Sequence, residues 1–126
     1  MGKLYFNNRD ELTCIEVDLV AFVRADGNYS KVVYITGKEI TLTFGISKLE
    51  TILKEHNDKR NRFVRIGRSI IINHYYLFKI EPMKQLMLLS DGGGRDIRIA
   101  MPKQSLRAYK DAIHKRVELQ KKPENA

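Results

Sequence analysis

The chain has 126 residues, enough for one domain with a single core, and its 43% hydrophobic and 30% charged content is that of an ordinary globular protein. A formal net charge of +8 and a pI near 9.7 disfavour an enzyme acting on neutral metabolites and fit a binder of polyanions. Its single cysteine, Cys14, excludes an internal disulfide and a cysteine-built zinc site, and no apolar run approaches the ~18 residues of a membrane span, so a reducing, cytoplasmic setting is expected.

Lys3 to Asn7 and Leu12 to Val17 read as strands joined by a turn at Asn8, Arg9 and Asp10, with Cys14 a small buried hydrophobe in the second. Leu19 to Ala25 is a third strand, whose alternation buries either Leu19, Ala21 and Val23 or Val20 and Phe22 and leaves Arg24 to water. Asp26-Gly27-Asn28 signals a hairpin, because glycine and asparagine tolerate the positive φ of a tight reversal. Tyr29 to Ile35 returns antiparallel. Thr36-Gly37-Lys38 then leads into Glu39 to Phe44, with Ile40, Leu42 and Phe44 inward. Ser47 and Glu50 have the spacing of a capping box at the head of a short amphipathic helix, which buries Leu49, Ile52 and Leu53 and ends near His56, Asn57 and Asp58.

Lys59, Arg60, Arg62, Arg65 and Arg68 follow within ten positions that hold no carboxylate. Such a run is either a solvated face or a place for phosphates, whose pairing also releases condensed counterions. The stretch Phe63 to Asn73 is β-branched and extended, interrupted by Gly67, where the chain is expected to turn and lift Arg68 and Ser69 clear of the sheet. Arg65, Arg68, Ser69 and Asn73 place two guanidiniums, a hydroxyl and a carboxamide in one otherwise apolar run, which asks for an anionic partner.

His74 to Leu77 reads as a turn, Phe78 to Glu81 as a strand ended by Pro82, and Gln85 to Ser90 with Arg95 to Ala100 as a hairpin across Asp91-Gly92-Gly93-Gly94. Pro102 suits the first turn of a helix that buries Leu106, Tyr109, Ile113 and Val117 and leaves Lys103, Arg107 and Lys110 to solvent or a ligand. Residues 1–120 then form a single domain, and the polar tail 121–126 has nothing to bury and should fray.

Catalytic and metal readings find little support. The glycines at Gly92 to Gly94 lie between strand patterns, and no Lys-Ser or Lys-Thr opens a helix after them, so they form a hairpin tip and not a phosphate loop. His56, His74 and His114 lack metal-ligand spacing, and Ser69 with His74 lacks a nucleophile elbow. No enzyme activity, metal or cofactor is expected. Tyr29, Tyr34, Tyr75 and Tyr76 could stack bases, but core packing accounts better for most of them.

The pattern Phe63, Arg65, Arg68, Ser69 and Asn73, with Ile80 in the next strand, resembles the signature of the LytTR DNA-binding domain. Phe22, Ala25, Gly27, Asn28 and Tyr29 match that family's strand, turn and strand, and Leu49 and Leu53 match its helix. The likeness runs from Lys3 to Ile113. It implies a mainly β, α+β fold, an elongated stack of small antiparallel sheets with a short mid-chain helix and a C-terminal helix. It also implies bacterial transcriptional regulation, with double-stranded DNA read by loops in the major groove.

By the same resemblance, DNA contacts come from Asn28, Tyr29, Ser30 and Lys31, from Arg68 flanked by Arg65 and Ser69, and from Met101 to Gln104. Gly67 stands where many members have histidine, and Met101 where many have arginine or serine. Arg68 suits base reading on its own chemistry, since a guanidinium reaches guanine O6 and N7 with two parallel bonds. Lys31, Arg62, Lys103 and Arg107 suit phosphates, which set register. The implied partners are duplex DNA bound by two copies on repeated half-sites and a receiver domain or sensor kinase upstream, with no membrane. A competing reading is a basic module for acidic proteins or anionic surfaces, without sequence preference, and a weaker third is single-stranded RNA binding.

Overall fold

The computed structural model describes residues 2–56 and 62–125, with residues 117–125 described in backbone alone. The expected helix end at Asn57-Asp58 and the cations Lys59 and Arg60 lie outside the described residues. Contacts divide the chain into two compact units, Met1–Tyr75 and Tyr76–Ala126.

In the first unit, β1 (Lys3–Asn7) and β2 (Leu12–Glu16) form a two-stranded antiparallel hairpin. A 3-10 turn, Val17–Leu19, ends β2 earlier than its apolar run suggested and leads into β3 (Val20–Asp26). Next come β4 (Tyr29–Tyr34), β5 (Glu39–Leu42), α1 (Ile46–Glu55), β6 (Phe63–Ile66) and β7 (Ile70–Asn73). They build a five-stranded antiparallel sheet in the order β5-β4-β3-β7-β6.

The central strand β3 corrects a simple alternation, because Val20, Ala21, Phe22 and Val23 are all buried. A register shift between Val20 and Phe22 inserts an extra residue. Val20 and Val23 therefore fall in the same cluster, with Ile15, Val32, Tyr34, Leu42, Ile71 and the helix residues Ile46, Leu49 and Leu53. Cys14 is exposed and not buried as expected, because the parity that buries Ile15 turns its neighbour outward. Asn73, expected to face a ligand, is fully buried. Its Nδ2 donates to the Val20 carbonyl at 2.8 Å and its Oδ1 accepts from the Tyr75 N–H at 3.0 Å, so it fixes where the chain leaves β7.

In the second unit, β8 (Leu77–Glu81), β9 (Leu86–Ser90) and β10 (Asp96–Ala100) form an antiparallel sheet in the order β10-β9-β8. Asp91 Oδ1 accepts from the N–H groups of Gly93 at 2.7 Å and Arg95 at 3.1 Å, which closes the glycine-rich stretch as a hairpin tip. The helix α2 (Lys103–Asn125) packs against β8 and the 3-10 turn Pro82–Lys84. It buries Leu106 and Tyr109. The helix continues through residues 121–125, expected to fray, which carry on a run of good helix formers from Glu118 to Lys122. No described helix is long and apolar enough to cross a membrane.

Replacing Asn73 with alanine strands the Val20 carbonyl without its partner and opens a cavity. Asn73→Ala should lower the unfolding free energy by about 2 kcal/mol in urea denaturation. An unchanged midpoint would show that this amide does not hold the β7 exit.

Candidate nucleic-acid interface

Sheet topology gathers three chain reversals at one end of the first unit. In the β3–β4 hairpin Asp26 pairs with Tyr29, leaving Gly27 and Asn28 as the loop. Gly27 has φ +60°. In the β6–β7 hairpin Ile66 pairs with Ile70, leaving Gly67, Arg68 and Ser69 as the turn. Because Arg24 near the end of β3 pairs with Ile70 at the start of β7, the two loops lie side by side. The Ala25 N–H donates to the Ser69 carbonyl at 2.8 Å and ties them together. Leu42 at the end of β5 pairs with Ser30, which brings the start of α1 to the same end.

Asn28, Tyr29, Arg68 and Ser69 are all exposed there, and for Arg68 and Ser69 the glycine before them led one to expect it. Gly67 makes this possible with φ +68°, a backbone conformation that favours glycine. Arg24 is a cation at this end whose role the sequence reading did not assign. It is exposed and pairs directly with Lys31 across the strands. Its signal was the combination of strand parity with hairpin register.

The other expected contact residues are buried, paired within the protein or placed in the second unit. Ser30 is fully buried, and its hydroxyl donates to the Phe44 carbonyl at 2.8 Å. Lys31 pairs with Glu39 at 3.3 Å. Met101 is buried, with its N–H on the Gln85 carbonyl at 3.1 Å. In the second unit Gln104 and Arg107 are exposed on the first turns of α2 and Lys103 is half-buried. Arg62 sits at the far end of β6 from Arg68, with its guanidinium 2.8 Å from Asp18 Oδ1 and its side chain only 11% exposed. It stacks over the Phe63 ring.

Arg65 turns inward. It pairs with Ile71, a member of the helix-facing cluster, so register aims it at α1. Its Nη1 donates to Glu50 Oε1 at 2.8 Å and to Ser47 Oγ at 3.3 Å, and its Nη2 donates to the Arg68 carbonyl at 2.7 Å. The capping box expected of Ser47 and Glu50 is therefore not formed. The helix begins two residues earlier, with Gly45 as N-cap and no side-chain cap, and both side chains serve Arg65 instead. Burial pushes the Glu50 carboxyl upward, but hydrogen bonds from Lys54 and Arg65 outweigh it and hold the group below its ordinary range. Among the described residues no cluster of histidine, cysteine or carboxylates could hold a metal ion.

The Asp18 carboxyl is held below its ordinary range chiefly by the hydrogen bond from Arg62. A depressed carboxylate stabilises the fold fully above its unfolded pKa of about 4 and loses that contribution as pH falls through the lower folded value. Asp18→Asn should accordingly be less stable than the parent at pH ~7, and the two should converge below pH ~3 in urea titrations. A gap that stays constant with pH would mean that the ion pair contributes nothing.

The model of the LytTr DNA-binding domain matches residues 10–114, which takes in both units. A solved structure described as the LytTr DNA-binding domain of a methyl-accepting/DNA response regulator from Bacillus cereus shares the fold, with TM-score 0.61 at 17% identity over 90% of this chain and 97% of that one. No curated protein matches the chain. With the family model spanning most of its length, the chain belongs to the LytTR family of DNA-binding domains.

Proposed function

We propose that this domain binds double-stranded DNA with sequence preference, reading the major groove through loops, as the effector part of a bacterial response regulator acting in the cytoplasm. The observation that carries the reading is the exposed Arg68 on a turn braced at two of its carbonyls, beside Asn28 and Tyr29, in a chain of this family. A planar guanidinium presented on a fixed backbone suits two parallel bonds to a guanine edge, and the preorganisation spares the entropy of ordering a loose loop. Asn28, Tyr29 and Ser69 are the neighbouring contacts. Arg24, Lys103 and Arg107 meet phosphates, and Gln104 adds a polar contact at the head of α2. The ion pairs of Arg62 with Asp18 and Lys31 with Glu39 make those two cations secondary. Two copies on repeated half-sites, and a receiver domain or sensor kinase upstream, complete the proposal.

Selection from a randomised duplex should enrich a defined site. In gel shifts Arg68→Ala should weaken binding to that site by 10-fold or more, in line with ~1–3 kcal/mol of base discrimination, while binding to random duplex changes little. Unchanged preference would remove Arg68 from the reading.

Binding should also fall with salt at a log–log slope near −5 if about six phosphates are neutralised. A flat response, or equal competition by anionic vesicles, would favour the alternative of a general anionic-surface module.

A further inference from the structure

Arg65 is the cation nearest to Arg68 along the chain, yet it is only 21% exposed, and Glu50, which holds it, is 24% exposed. Both Glu50 oxygens are occupied, Oε1 by Arg65 at 2.8 Å and Oε2 by Lys54 at 3.2 Å. The guanidinium so held reaches the Arg68 carbonyl, and its Nε is buried with no hydrogen-bond partner. An Arg with an orphaned Nε gains hydrogen bonds by leaving this position, so the anchoring carboxylate decides which way it points. Beside a polyanion the alternative is a phosphate, which takes guanidinium bidentately.

We infer that Glu50, which lies on α1 and faces Arg65, is a specificity-determining positioning residue. It keeps Arg65 on the Arg68 carbonyl and away from phosphate, so that the turn presents its reader in one orientation. The inference rests on the proposed role of Arg68 and adds an opposed pair of effects. Loss of the Glu50 charge frees Arg65 to become one more phosphate contact, so sequence preference falls while general duplex affinity rises. A residue that merely supported the fold would weaken both.

The test uses the duplex enriched by the parent chain and a random-sequence duplex of equal length. Glu50→Gln keeps the shape and an acceptor oxygen but not the charge. It should reduce the ratio of specific to random affinity about 10-fold and steepen the random-duplex salt slope by about 0.9, the value for one further phosphate. Arg65→Lys, which cannot bridge the carboxylate and the carbonyl together, should lower the ratio in the same direction and guards against a Glu50 variant that fails to fold. In the Arg68→Ala background Glu50→Gln should cost no further preference. If Arg68→Ala abolishes the preference and both Glu50→Gln and Arg65→Lys leave it intact, the inference fails and the reading of Arg68 stands. If the preference survives Arg68→Ala as well, the reading itself fails and carries the inference with it.

Discussion

A guanidinium removed from most of its water must have its charge met inside the protein, and in this domain that requirement joins a helix to a turn. Arg65 lies on the helix-facing side of β6 because it is paired with Ile71, and its nearest carboxylate is Glu50 on α1. Its Nη2 closes on the backbone of the residue at the tip. One side chain therefore couples the packing of α1 against the sheet to the geometry of an exposed hairpin. The apolar cluster beneath it, with Leu49 and Leu53 buried among sheet residues, keeps the helix at the distance this bridge needs.

Internal pairing also changes how the basic charge is to be read. Lys3, Lys31, Lys54, Arg62 and Arg65 each face a carboxylate, so a good part of the first unit's positive charge is neutralised where it stands. The exposed pairs among them add little stability, but all of them take cations away from an outside partner. The cations left on the surface are the informative ones. Among the exposed cations outside these pairs, Arg24 and Arg68 mark the loop end of the sheet, and Lys110 and Arg107 an exposed side of α2.

Elements with strong local signals were legible in the sequence. The Gly27-Asn28 and Gly67 reversals, the glycine-rich hairpin tip and the apolar spacing of α2 all rest on short-range chemistry that a one-dimensional pattern records. Side-chain destinations were not. Ser30 and Arg65 were expected at the DNA from the family resemblance and Asn73 stands in the polar signature run, yet all three side chains are turned to partners inside the protein. Ser30 and Asn73 satisfy backbone groups, a need that exists only once the strands have been brought together. Ser47 and Glu50 carried the spacing of a cap, but a partner fifteen or more positions away in sequence outcompeted the local motif. The burial of β3 on both faces was hidden by the extra residue at its start, which shifts parity without leaving a mark such as glycine or proline.

The glycine of the β6–β7 turn leaves room for variation of a particular kind. A Cβ placed on Gly67 would meet nothing within 4 Å, so the restriction there is torsional and not steric. Asparagine or aspartate, which enter the left-handed region more readily than other side chains, could occupy the site at a cost of about 1 kcal/mol. Either would set a second polar group beside Arg68, one with hydrogen-bonding donors and acceptors and the other with acceptors alone. A single codon thus changes what this turn presents to a partner without disturbing the core.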